Sequence, residues 1–154
     1  MEHRKQNSFL GTMPSPASRL AGFYYMHPRN RFWPVMEKIF GVTLPSVNER
    51  RAFLLQNNIA LWDVLCGCDI DGAQDSSIKN AVPNNFTQIL NESKISRIFC
   101  TGKTALLLYE KLCAKNYSVT YEGLPSTSPA NASWTLEKLC EEYRKKIFAD
   151  AFHQ

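Results

Sequence analysis

The chain has 154 residues, 44% of them hydrophobic and 21% charged, with a formal net charge of +4. That is enough chain for one domain to bury a full core without staples, so residues 1–154 are expected to form a single soluble domain acting as a monomer. No apolar run approaches the roughly 20 residues that a membrane helix needs, which excludes a spanning protein and a membrane partner.

Five cysteines (66, 68, 100, 113 and 140) form an odd set whose only close pair is CGC, a spacing that suits neither common zinc sites nor a disulfide scaffold. His27 is the one internal histidine. Reduced thiols in a cytoplasmic protein with no metal and no cofactor are the expectation. The opening residues MEHRKQNSFLG hold no apolar stretch of signal-peptide length, so the sequons at Asn85, Asn91, Asn116 and Asn131 read as chance matches. Charge is unevenly placed. Arg4, Lys5, Arg19, Arg29 and Arg31 face only Glu2 in the first 31 residues, and the remaining acids and bases cancel. That local excess suggests an anion-facing surface.

In chain order, NSFLG reads as a short strand, Phe32 to Phe40 as a helix that tolerates Pro34 only in its first turn, and Ser46 with Glu49 as a capping box opening a helix to about Asn57. NIALWDVL, SRIFCTG and YSVTYEG are the next strands. Lys103 to Lys115 supplies a helix with a broad apolar face. From Thr135 an amphipathic helix closes the chain, with Leu136, Leu139, Cys140, Tyr143 and Ile147 on one side and Ser133 or Thr135 as its cap. Strands separated by helices imply an α/β fold with a mainly parallel, four-stranded central sheet, and its ligand sites belong in the loops after the strands.

Those loops differ in content. CTGKTA invites a phosphate-loop reading, but the glycine required five positions before Gly102 is Arg97. Residues 66–85 are expected to be loop. The first loop, GTMPSPASRLAGFYYMHPRN, is far longer than an ordinary connection. It sets small residues and prolines, which allow close approach to a ligand, beside aromatic faces at Phe23, Tyr24 and Tyr25 and cations at Arg19, Arg29 and Arg31. Flat faces beside cations suit a nucleic-acid base and its phosphates. Phe32 and Trp33 belong to the core. The last loop, GLPSTSPANASW, offers hydroxyls and backbone N–H groups for phosphate oxygens.

Taken in order, GTMPS, GFYYMHPRNRFW, ALWDVL, DGAQDSSI, FCTGKTA and LPSTSPAN resemble the uracil-DNA glycosylase superfamily, and most closely its hypoxanthine (deoxyinosine) DNA glycosylase branch. The resemblance spans nearly the whole chain. It implies a three-layer α/β/α sandwich, a base flipped from DNA into a pocket between the first and last loops, and hydrolysis of its N-glycosidic bond without metal or cofactor. Asn30 matches the asparagine on which that branch relies for catalysis. Tyr25 falls where relatives stack an aromatic ring on the flipped base, with Tyr24 beside it and Gly11, Thr12, Met13, Pro14 and Ser15 lining the base. Met13 stands where the mismatch-specific enzymes place their catalytic asparagine, so their mechanism does not carry over, and Leu124 stands where the uracil-specific enzymes place a histidine, which argues against strong uracil activity; a uracil or G:U/G:T mismatch glycosylase stays as the alternative within the superfamily. Ser126, Thr127, Ser128, Pro129, Asn131 and Arg19 are expected to contact DNA, with Pro129 to Trp134 as the wedge.

The residue types support the same chemistry. Breaking a C–N glycosidic bond builds negative charge on the departing base, so donors toward the base and a positioned water are needed. An asparagine amide supplies a donor and an acceptor but no basic group. Asn30 is therefore expected to orient the water or to contact the base. Asp63 and Asp75 are the carboxylates available for activating water, although a structural role at a strand end or helix cap suits each better. Two other classes remain: a damaged-DNA-binding module on the same fold without turnover, and a small-molecule hydrolase pairing Ser126 or Ser15 with His27.

Overall fold

The computed structural model describes residues 6–11, 23–69, 79–86 and 95–149. Its centre is a sheet of β1 (Gln6–Gly11), β2 (Ile59–Asp63), β5 (Ile95–Thr101) and β6 (Thr120–Leu124) in the order β2-β1-β5-β6, every pair parallel. Four helices among the described residues connect and cover it: α1 (Phe32–Phe40), α2 (Val47–Gln56), α3 (Lys103–Leu112) and α4 (Leu136–Ile147). The expected strands and helices are all present.

Alternation along the strands makes the layers. Successive strand side chains point to opposite faces, so Phe9 and Phe99 stack on one face at 5.3 Å while Leu10 and Cys100 serve the other. The first face takes α1, α2 and α4 through Phe32, Trp33, Met36, Phe53, Leu139 and Tyr143; the second takes α3 through Ala105 and Tyr109. Each fully buried aromatic or aliphatic side chain contributes roughly 1.5–3 kcal/mol. Gly123 lets α3 come close, since a Cβ there would sit 2.8 Å from Leu106 Cδ2.

The helix ends follow their sequences. Ser46 Oγ accepts the Glu49 N–H at 3.2 Å, and of the two possible caps on α4 it is Thr135 that accepts the Lys138 N–H, also at 3.2 Å. The last carbonyls of α4 are closed from the sheet: Arg97 donates to Lys146 O at 3.1 Å and Ile147 O at 2.7 Å, and to Asn7 Oδ1 at 3.0 Å.

Two features depart from the sequence reading. Helix α3 stops at Leu112 rather than running to Lys115, and a 3₁₀ turn follows at Ala114–Asn116. The stretch read as loop after the second strand contains a second, two-stranded antiparallel sheet of β3 (Leu65–Asp69) and β4 (Lys79–Pro83), with Leu65 opposite Pro83 and Asp69 opposite Lys79. Glycine and small polar residues in these segments hide the strands, whose pairing is local and irregular in register.

Candidate active site

The parallel register brings the strand ends into one row. Gly11 pairs with Asp63, and Thr101 with Leu124, so β1, β2, β5 and β6 all deliver their last residues to the same edge. Ligand sites of such sheets lie beyond the carboxyl ends of the strands. At this edge a Cβ on Gly11 would meet Asp63 Oδ1 at 3.0 Å, Tyr25 Oη at 3.6 Å and Thr101 Oγ1 at 3.9 Å. Gly11 is thus the residue around which a carboxyl, a phenol and a hydroxyl gather.

Asp63 neither caps a helix nor pairs with any described side chain; its backbone carbonyl accepts from Asn84 Nδ2 at 2.7 Å. Burial disfavours the carboxylate, and its pKa is pushed up to about 6. The sequence argument preferred a structural role here, and the structure supplies no partner for one among the described residues. Asp75 lies outside the described residues.

Tyr25 has a left-handed backbone, φ 58°, an unusual conformation for a bulky residue that clusters at functional sites. Its ring stacks on Phe32 at 4.1 Å and its hydroxyl meets Thr101 Oγ1 at 3.3 Å. Burial raises its pKa, so the phenol stays neutral. One ring face is committed to the core, and only the other can meet a base. Tyr24 is half-buried; its carbonyl accepts from Trp33 Nε1 at 3.0 Å.

The HPRN turn is closed on itself. Asn30 N–H donates to His27 O at 2.9 Å, and Arg29 N–H to His27 Nδ1 at 3.1 Å. The Asn30 side chain is oriented without ambiguity, because its Oδ1 accepts the Phe32 backbone N–H at 2.9 Å and the Thr127 hydroxyl at 2.8 Å. An amide oxygen has two lone pairs and both are used. The Nδ2 donates to no described residue. Among the described residues, Asn30 is thus left with the Nδ2 donor rather than the Oδ1 acceptor for a further partner.

The last loop is tied to this turn. Arg31 N–H donates to Thr127 O at 3.0 Å, while the Arg31 guanidinium donates to Ser128 O at 2.9 Å, Asn131 O at 3.1 Å and Trp134 O. Arg31 thus spends its guanidinium on carbonyls of the neighbouring loop. Tyr143 Oη adds a bond to Pro125 O at 2.6 Å. Within the loop, Ser126 Oγ accepts from Ser128 N–H and Ser128 Oγ from Ala130 N–H, and neither hydroxyl donates to a described residue. Asn131 is occupied by Ser126 O at 3.0 Å, and Thr127 is only 2% exposed. Pro129 is half-buried, with Ala130, Ala132 and Ser133 exposed around it. Of the residues expected to touch DNA, Ser126, Ser128, Pro129 and Asn131 are partly exposed, while Thr127 is buried and the Asn131 amide is engaged within its own loop. Thr12, Met13, Pro14, Ser15 and Arg19 lie outside the described residues.

Among the described residues no three His, Cys, Asp or Glu side chains gather as a metal site, and no helix is long and apolar enough to cross a membrane. The Gly102 turn that resembled a phosphate loop is a strand-to-helix bend: its φ is 101°, and its N–H donates to Leu124 O at 2.7 Å.

A parallel α/β sheet whose strand ends and two facing loops gather donors and acceptors at one edge is a layout that base-excising glycosylases use. The family model of the uracil DNA glycosylase superfamily matches residues 5–152, and the chain belongs to that superfamily. It is 38% identical over 80 residues to a hypoxanthine DNA glycosylase of Methanosarcina barkeri strain Fusaro, a match spanning about half of either chain (51% of each). It is 29% identical over 134 residues to a hypoxanthine DNA glycosylase of Methanosarcina acetivorans, covering 86% of this chain and 84% of that one. A solution NMR structure from Methanosarcina acetivorans, described as that of a candidate uracil DNA glycosylase, superposes with a TM-score of 0.78 at 28% identity, over 96% of this chain and 91% of the other.

Proposed function

We propose that this protein is a monofunctional DNA glycosylase that flips a deaminated base out of DNA and hydrolyses its N-glycosidic bond, with hypoxanthine in deoxyinosine as the preferred base. It acts as a monomer without cofactor. The observation that supports this most is the fixed Asn30 amide, whose Oδ1 is saturated by Phe32 N–H and Thr127 Oγ1 and whose Nδ2 is left to donate. The hypoxanthine relatives in both Methanosarcina species favour that base over uracil.

In this reading Asn30 Nδ2 donates to the base as negative charge builds on it during C–N cleavage, a stabilisation strongest in the transition state. In the same reading the Asp63 carboxylate, at the same edge of the sheet, accepts the N1–H of hypoxanthine. Adenine has a lone pair at that position and is repelled, which gives selection against the normal base. Tyr25 covers one face of the base, with Tyr24 at the margin and Gly11 at the strand end beside it; Thr12, Met13, Pro14 and Ser15 are proposed as further base contacts. Ser126 and Ser128, with Pro129 as part of the wedge, meet the phosphates and the gap left by the flipped nucleotide, together with Arg19.

The test is incubation with labelled duplexes carrying one inosine, xanthine or uracil, followed by alkali. Strand scission at inosine above that at uracil is expected. Retained DNA binding with no abasic sites from any base would leave a binding module instead.

A further inference from the structure

Thr127 is the buried member of an otherwise half-open hydroxyl loop. Its neighbours Ser126 and Ser128 are partly exposed, yet Thr127 is 2% exposed and directs its hydroxyl to Asn30 Oδ1 at 2.8 Å. Because Oδ1 carries no hydrogen, the hydroxyl must be the donor. The Phe32 N–H fixes the same oxygen from its other side at 2.9 Å. With one donor removed, the amide could rotate about its last torsion, which is broad and two-fold in asparagine. With both donors present, only one orientation satisfies them.

The main chain reinforces the contact. Thr127 O accepts the Arg31 N–H at 3.0 Å, and the Arg31 side chain reaches Ser128 O, Asn131 O and Trp134 O. Residues 30 and 31 thus hold the far loop by side chain and backbone at once, from Thr127 to Trp134.

We propose that Thr127 is a positioning residue: its hydroxyl locks the Asn30 amide with Nδ2 toward the site, so that the DNA-facing loop and the catalytic amide form one preassembled unit. The inference rests on the reading of Asn30 given above. Its consequence is that a change in the loop alters turnover through Asn30 rather than through DNA affinity.

The experiment compares Thr127→Val, nearly isosteric but without the hydroxyl, with Thr127→Ser, alone and combined with Asn30→Ala. Single-turnover excision from an inosine duplex, duplex affinity and Tm are measured for each. Thr127→Val is expected to lower the excision rate roughly ten- to hundredfold, the loss typical of a misplaced reacting group, with affinity unchanged. Thr127→Ser should restore most of it. In the Asn30→Ala background Thr127→Val should cost nothing further, because coupled residues are not additive.

An equal loss in both backgrounds, or no loss in the wild-type background, overturns the proposal. Full activity of Asn30→Ala alone would instead overturn the reading of Asn30. A readout independent of catalysis is the side-chain amide of Asn30 followed by NMR. Its order should fall in Thr127→Val and persist in Thr127→Ser, and an equally ordered amide in Thr127→Val would overturn the lock whatever base the enzyme excises.

Discussion

Gly11 and Asp63 sit opposite one another at the ends of adjacent parallel strands, so close that a single added methyl on Gly11 would lie 3.0 Å from the Asp63 carboxyl. The first prediction follows from that gap. Gly11→Ala must displace Asp63, Tyr25 or the strand end, costing about 1–3 kcal/mol of stability as overpacked sites do and lowering inosine excision further than the stability loss explains. Removing the carboxyl relieves the clash, so Gly11→Ala should cost less in an Asp63→Ala background. Denaturation midpoints of the four proteins in that cycle check this.

Asp63 also predicts a pH dependence. Its pKa rises from 3.8 to about 6 on folding, so between those values the folded state holds a proton that the unfolded chain has lost. Its contribution therefore favours the native state as pH falls through this window, and stability drops as pH rises through it, the reverse of a salt-bridged carboxylate. Asp63→Asn is expected to stabilise the protein at pH 7 by about 1–3 kcal/mol and to flatten that part of the stability curve. The ionised carboxylate is the stronger acceptor, so inosine excision by the wild type should decline as pH falls through about 6. Asp63→Asn, able to donate as well as accept, should discriminate less against adenine. Chemical denaturation and excision rates across pH 5 to 8 give both readings.

Two arginines of the same turn separate structure from DNA contact. Arg31 forks over three carbonyls of the last loop, whereas Arg29 is exposed. Arg31→Lys keeps the charge but loses the fork, and should cost roughly 1–3 kcal/mol of stability. Arg29→Ala should leave Tm unchanged and weaken duplex binding with a salt dependence shallower by about one ion. The opposite pattern would mean that Arg31, not Arg29, faces the phosphates.

Much of this was legible in the sequence because local signals agree with the fold. The Ser46 capping box, the apolar stripe of α4 and the four strands of the parallel sheet stand where spacing and propensity put them. The hairpin of β3 and β4 was not legible, since LCGCD and KNAVP are poor in β-branched residues and pair only with each other. At the site, Asn30, Tyr25 and the last loop were readable as types, but direction was not. Nothing in LPSTSPAN says that the middle hydroxyl turns inward, and an arginine beside aromatic rings reads equally as a phosphate contact or a carbonyl clamp. The closeness of the Asp63 carboxyl to Gly11 depends on the register between their strands, a long-range fact that a strand-end aspartate does not announce.

The most direct test of the central claim is Asn30→Asp in single-turnover excision of hypoxanthine, with duplex affinity measured in parallel. Aspartate keeps the shape and the acceptor that Phe32 N–H and Thr127 use, and removes the donor. If Asn30 acts by donating to the departing base, the rate should fall on the order of 10²- to 10³-fold, the cost of losing one such donor, while binding is retained. A variant that excises hypoxanthine as fast as the wild type, or faster, would show that an acceptor at this position drives the reaction and would contradict the account.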